Sequence, residues 1–399
     1  MTRLCADKLI VFVSGLGMLL STLDTGIINV ALPSLEKIFF VNTSVITWAI
    51  TGYSLALGTC ILPFGIMGDL YGKVRISRYG FITFGIGSLL CGIAENIQFF
   101  ILGRVVQGIG AAMLQATSIA LITTFLDEKK RYSALGTLGM MIGLGPILGP
   151  SLGGIALTYD MWRILFLVNV PLVLIALIAF ISISSSVKER ESNLSITQYY
   201  KQGKSIISWK INLHFAQTAV FGFASAILFL LPPFIFSKIF NLPMGIIGVL
   251  VLSAPVGLVV FAKLSSKWGY RWKSTELALL GILTMSSSMF FLITGSHYLG
   301  FILVGLFVYG AGGGIFQPAN MASIMAESPK TVQGVTGAIQ RMVQNISISI
   351  GAGVGGYILS IYSDNIYLAA TCGWGVSLLV LILGFVSGYI VKYQKGYPC

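Results

Sequence analysis

The sequence predicts an all-α membrane protein with twelve transmembrane helices arranged as two pseudo-symmetric six-helix bundles. Three observations carry this. Of 399 residues, 56% are hydrophobic and only 10% charged, with a mean hydropathy of +0.89, which excludes a soluble globular chain. Apolar runs long enough to cross a hydrocarbon core of about 30 Å recur along the whole length. The second half of the chain repeats features of the first at a constant offset.

In order, the runs fall at about 9–33, 45–66, 79–95, 99–125, 134–158 and 162–182, then at 211–236, 244–263, 275–295, 298–322, 334–360 and 367–391. Arg3 and Lys8 precede the first run in the manner of a secretory leader. The run continues past Asp24 to Pro33 without a small-residue cleavage site, so it is read as a span. The polar stretch 184–210, SSSVKERESNLSITQYYKQGKSIISWK, separates six runs from six and is read as a cytoplasmic linker between bundles at 1–183 and 211–399. With an offset of 202, GIGAAMLQATSIALI at 108–122 falls on GAGGGIFQPANMASI at 310–324, and GPSLGGIAL at 149–157 falls on GAGVGGYIL at 351–359. Six spans per half is an even number, so the repeat is parallel.

The formal net charge of +12 is a topology signal rather than a nucleic-acid footprint, because the basic residues sit in alternate loops. Arg3, Lys8, Lys73, Arg75, Arg78, Lys129, Lys130 and Arg131 of the first half and Lys263, Lys267, Arg271, Lys273 and Lys330 of the second fall on one side of the membrane, with Lys37, Arg163 and Lys238 on the other. The positive-inside rule then places both termini in the cytoplasm of a multi-pass plasma-membrane protein. Membrane lipids are expected partners of the basic loops and nucleic acid is not. The five cysteines show no CxxC spacing, and His214 and His297 show no ligand spacing and are expected at membrane edges; no metal site follows. No Walker loop and no Ser/His/Asp set is present, so neither an enzyme nor an ATP-driven pump is expected.

Asp24 is the one acidic residue deep within a predicted span. A charge there costs about 2.5–3.5 kcal/mol on insertion scales, so a cavity or a partner must hold it, which makes it the candidate proton site. Arg104 lies about 9 Å from the outer end of its span and Asp24 about 14 Å from that of its own, within reach of a long side chain. Asn29, Tyr53, Gln107, Gln115, Gln317, Asn320, Arg341 and Gln344 offer hydrogen bonds among Phe and Met and read as a substrate cavity, with interhelical polar packing as the alternative for each. In 145–154, GPILGPSLGG, Gly145, Gly149 and Gly153 share one helix face, Gly154 follows, and Pro146 and Pro150 each remove a backbone hydrogen bond. The segment reads either as a hinge that seals and flexes the interface between the halves or as a close-packing face.

Four motifs in order resemble the major facilitator superfamily, in particular its drug-proton antiporters. LDTGIINVALP at 23–33 is similar to LDxTxxNVALP, and GIMGDLYGKVR at 65–75 to GxLaDrxGrk. RVVQGIGAA at 104–112 is similar to RxxQGxgaa, and 145–154 to the gxxxGPxxGG of exporters. GAIQRMVQNISISIGAG around Arg341 resembles the fourteen-span branch, from which this chain departs by having twelve spans. It departs again at Leu70, where a basic residue is usual, and at Lys267 in the second-half loop. The resemblance implies that Gly65, Asp69, Gly72, Lys73 and Arg75 form a cytoplasmic latch and that Arg104 modulates proton transfer at Asp24. It implies a monomeric efflux transporter for hydrophobic or amphipathic drugs and antiseptics, driven by the proton gradient without a cofactor. The alternatives are export of a specific antibiotic, a lipid or a wall precursor, or a non-transporting receptor or scaffold on the same fold.

Overall fold

The computed structural model describes residues 3–186, 208–268, 272–328 and 333–393, and all regular structure among them is helical. In the first half the helices are α1 (Arg3–Ile38), α2 (Thr43–Ile46), α3 (Trp48–Tyr71), α4 (Lys73–Gly92), α5 (Ile97–Phe125), α6 (Glu128–Thr158), α7 (Ile164–Leu167) and α8 (Asn169–Ser186). The second half has α9 (Trp209–Lys238), α10 (Met244–Leu250), α11 (Ser253–Trp268), α12 (Ser274–Gly295), α13 (Leu299–Glu327), α14 (Gln333–Ile361) and α15 (Ile366–Tyr393). Among the described residues ten stretches are long and apolar enough to cross a membrane, and Ile147–Thr158 of α6 is a further, shorter apolar piece. The remaining long helix, α4, begins earlier than the sequence predicts and takes Lys73, Arg75 and Arg78 into its first turns. One residue separates α3 from α4: Gly72, with φ 106° and ψ 129°, a region closed to side chains. Most of 65–75, the segment that resembles the latch motif, is therefore helix. Large apolar side chains such as Ile178, Ile181, Phe290 and Leu383 stand exposed on the helices, as a lipid-facing surface requires.

Contacts separate the described chain into two compact units. The first holds α1 and α3–α8; the second holds residues 42–47 together with α9–α15. Residues 42–47, which the sequence assigns to the first bundle, belong to the second by their contacts. Ser44 Oγ donates to the Gly356 carbonyl at 3.3 Å, and Gly356 leaves room for the Thr47 side chain. Of the expected linker 184–210, residues 187–207 lie outside the described residues.

Within the first unit, α1 packs along α6 and α5 packs between α3 and α4. Glycine lets these backbones close. A Cβ on Gly149 would lie 2.7 Å from the Leu23 carbonyl oxygen and 2.8 Å from Gly26 Cα, and one on Gly145 would strike Thr22. Gly26 answers from the other side, 3.1 Å from Pro150 Cδ by the same measure. The glycines of 145–154 thus receive α1 of their own unit. The helix runs unbroken through positions 146 and 150.

The second unit repeats the pattern: α9 packs along α14, and α13 between α11 and α12. The repeat holds at the level of single glycines. Gly108 faces the carbonyl of Tyr53, and Gly310, 202 residues on, that of Ala254; Gly149 faces the Leu23 carbonyl and Gly351 that of Phe223. The turns after α1 and α9 also match, with Phe40 at φ 51° and Asn241 at φ 49°.

Alanine at Gly149 is expected to lower stability by about 1–3 kcal/mol, the usual cost of overpacking. Alanine at Gly300, where nothing lies within 4 Å of the added carbon, is expected to be neutral or slightly stabilising. Thermal unfolding of the two variants in detergent tests this, and equal midpoints would refute the tight α1–α6 approach.

Candidate functional site

Asp24, Arg104 and Gln107 are all 0% exposed and meet inside the first unit. Arg104 Nη1 lies 2.5 Å from Asp24 Oδ2 and donates to Gln107 Oε1 at 2.6 Å. Gln107 Nε2 in turn donates to Asp24 Oδ1 and to Ser88 Oγ, both at 2.8 Å. Arg104 Nε donates to the Ala49 carbonyl at 3.0 Å, and its Cζ sits 4.4 Å from the centroid of the Tyr53 ring, a cation–π distance. Asn169 Nδ2 donates to Ser88 Oγ at 3.2 Å. One buried charge pair thereby ties together α1, α3, α4, α5 and α8.

The local sequence explains the convergence. Arg104 and Gln107 are one turn apart on α5 and so share a face. Gly108 brings α5 against the Tyr53 carbonyl, which puts Arg104 over the Tyr53 ring. On α4, Gly87 abuts the Gln107 backbone, which brings the adjacent Ser88 within reach of the Gln107 amide. Beyond the guanidinium, Phe166 lies 6.0 Å from Arg104 Cζ and packs edge-on to Phe100, which joins Phe39 and Trp162 in an aromatic cluster. The pair is closed off by rings, and a charged hydrogen bond in such surroundings is far stronger than one in water.

Other residues singled out from the sequence are distributed more widely. Tyr53 Oη donates to the Ser21 carbonyl at 3.1 Å and Gln115 Nε2 to Ser21 Oγ at 3.1 Å, one turn before Asp24. Asn29, further along α1, is half-buried and outside this network. In the second unit Gln317, Arg341 and Gln344 are half-buried, whereas Asn320 is buried and donates to Thr218 Oγ1 at 2.8 Å. Asp69 pairs with Lys73 across Gly72 at 2.7 Å, Arg75 is exposed, and Gly65 meets Ala116 at an ordinary contact distance. Lys267 lies among residues whose side chains are outside the description. His214 is 1% exposed, in the second turn of α9 after its start at Trp209, and packed within the second unit. Ser88, Asn169 and the Ala49 carbonyl were missed by the sequence reading, since serine and asparagine in apolar helices carry no positional signal. At the 202-residue offset Asp24, Arg104 and Gln107 fall on Ala226, Leu306 and Tyr309. There the second unit has a neutral pair, Ser225 Oγ and Tyr309 Oη, 3.0 Å apart.

Two helical units, the first of which holds a buried charge pair, are matched by the comparisons with known proteins. The sequence profile of the Major Facilitator Superfamily matches residues 15–352 and again 213–394. The chain belongs to the Major Facilitator Superfamily. This superfamily member is 28% identical over 388 residues to the riboflavin transporter RibZ of Clostridioides difficile, covering 84% of each chain. It is 34% identical over 188 residues to the methylenomycin A resistance protein of Bacillus subtilis, covering 47% of this chain and 40% of that protein. Over 168 residues it is 36% identical to the drug efflux pump JefA of Mycobacterium tuberculosis, covering 42% of this chain and 33% of that one. Its fold matches that of a bacterial homolog of the human lysosomal transporter Spinster, with a TM-score of 0.76 over 99% of both chains at 14% identity. It is a multi-pass membrane transporter by family and not an enzyme.

Breaking a buried pair by removing one partner costs about 3–5 kcal/mol. Asp24→Leu strands a guanidinium that cannot be deprotonated, whereas Arg104→Leu strands a carboxyl that one proton neutralises. Asp24→Leu is therefore expected to unfold at the lowest temperature, Arg104→Leu at a higher one, and the double variant to recover most of the loss. Identical midpoints for all three would show that the charges contribute nothing to stability.

Proposed function

We propose that this transporter is a proton-coupled exporter of hydrophobic or amphipathic drugs and antiseptics, working by alternating access of two bundles at 1–183 and 211–399 joined by 184–210. The observation that supports it most is the fully buried Asp24–Arg104 pair, a titratable group held out of water by a fixed cation with a third hydrogen-bond partner on each. A proton bound at Asp24 removes one charge of the pair. Arg104 then retains Gln107 Oε1, the Ala49 carbonyl and the Tyr53 ring, so the network has a second arrangement without leaving the cation unsupported. Two arrangements separated by one proton are what coupling requires. The neutral Ser225–Tyr309 pair of the second unit leaves one such site between the halves at this position.

The direction follows from 145–154, whose pattern resembles that of exporters, and the basic-loop asymmetry supports both termini in the cytoplasm of the plasma membrane. The latch reading of Gly65, Asp69, Gly72, Lys73 and Arg75 is supported by the Gly72 turn and the Asp69–Lys73 pair. Resistance and efflux names among the relatives support a drug-like cargo.

A second reading is favoured by one comparison: the relative matching 84% of both lengths is named for riboflavin, so a single planar heteroaromatic solute is the rival cargo. Everted vesicles with an imposed proton gradient decide. Uptake of ethidium or a quaternary ammonium dye, abolished by an uncoupler and by Asp24→Asn with expression retained, is the expected result. Gradient-driven uptake of riboflavin with none of the dyes selects the rival, and undiminished transport by Asp24→Asn removes the proton site.

A further inference from the structure

The second unit contains a buried titratable group that the network around Asp24 does not use. His214 on α9 is 1% exposed, and its Nδ1 lies 2.9 Å from Gln217 Oε1. With that carbonyl oxygen as acceptor, Nδ1 carries the ring proton and Nε2 is a bare lone pair; Nε2 has no hydrogen-bond partner among the described residues. Asn320 on α13 is 0% exposed and spends its amide hydrogens on Thr218 Oγ1 at 2.8 Å and the His214 carbonyl at 3.4 Å. Its Oδ1 is likewise buried without a partner, and the Asn320 side chain faces the His214 ring. Two acceptors thus meet in one buried cluster with no donor between them. A single proton satisfies both.

We propose that His214 is a second proton-binding site, in which a proton from the aqueous phase bonds to Nε2 and is shared with Asn320 Oδ1. No other bond is made or broken, and the cluster gains one positive charge. The charged group that acts on it is the Glu327 carboxylate, exposed at the last residue of α13, which supplies a counter-charge. From α14 the neighbouring Ile211 receives apolar Val335 and Ile339, and α15 places Gly388 against Gln217, where a side chain would displace the amide from the imidazole. On α9 itself Lys210 lies one turn before His214. The site has no equivalent in the first unit, where the same offset gives Phe12 and Ser118 for His214 and Asn320. Its use in transport rests on the exporter reading; its existence does not.

The chain has two histidines, so ¹⁵N-histidine labelling of the full-length protein in nanodiscs gives two ring systems, assigned with His297→Gln. At high pH the His214 ring is expected to show a proton on Nδ1 and a bare Nε2, and on acidification Nε2 gains a proton. Asn320→Leu is expected to reduce protonated His214 roughly tenfold at a given pH, the effect of losing one hydrogen bond to a charged donor, while Asn320→Asp retains it. A high-pH ring protonated on Nε2, or a His214 that stays neutral wherever the protein is folded, overturns the proposal, as does a titration unchanged in a folded Asn320→Leu protein. None of these readings requires transport, so an inactive cargo assay and an absent proton site are told apart.

Discussion

A carboxylate and a guanidinium with no exposed surface sit inside an apolar unit and are held by protein partners from several helices, with only Arg104 Nη2 of this pair left buried without a hydrogen-bond partner among the described residues. In hydrocarbon no solvent is at hand to solvate a charge, so each needs protein partners. Asp24 takes Arg104 on one oxygen and Gln107 on the other; Arg104 takes a carboxylate, an amide oxygen, a backbone carbonyl and the face of a ring. These partners come from α1, α3 and α5, with Ser88 of α4 and Asn169 of α8 behind them, so five helices converge on one ion pair.

The two units solve backbone packing in the same way and chemistry in different ways. Paired glycines 202 residues apart permit equivalent close approaches, Gly108 and Gly310 to one helix, Gly149 and Gly351 to another. Van der Waals packing is the main force between membrane helices, so the small residues that permit it repeat with the fold. Side chains that carry charge are free of that demand. Where the first unit has Asp24, Arg104 and Gln107, the second has Ala226, Leu306 and Tyr309, and its own buried titratable residue, His214, lies elsewhere on α9. The asymmetry is therefore chemical on a symmetric scaffold.

Much of this was legible from sequence because the bilayer imposes few and strong rules. Twelve apolar runs, alternating basic loops and a glycine register shared at one offset follow from hydrophobic length, insertion energetics and backbone approach. Asp24 and Arg104 stood out for the same reason: charges are rare in such runs. What failed to show was anything dependent on which way a helix face turns. The glycines of 145–154 read as a hinge or a packing face with no named neighbouring helix, and the structure sets α1 against them, since a small-residue face does not say which neighbour it admits.

The sequence by itself determined the class of fold, its internal repeat, and which few residues had to find partners, because each is set by the cost of placing a group in hydrocarbon regardless of its neighbours. Only the tertiary structure decided who the partners are: that Gln107 bridges both members of the ion pair, that Ser88, Asn169 and the Ala49 carbonyl complete the network, and that His214 and Asn320 come together in the second unit. Hydrogen bonds act over about 3 Å and depend on angle, so they are fixed by helix rotation and depth, quantities that periodic apolar runs leave open.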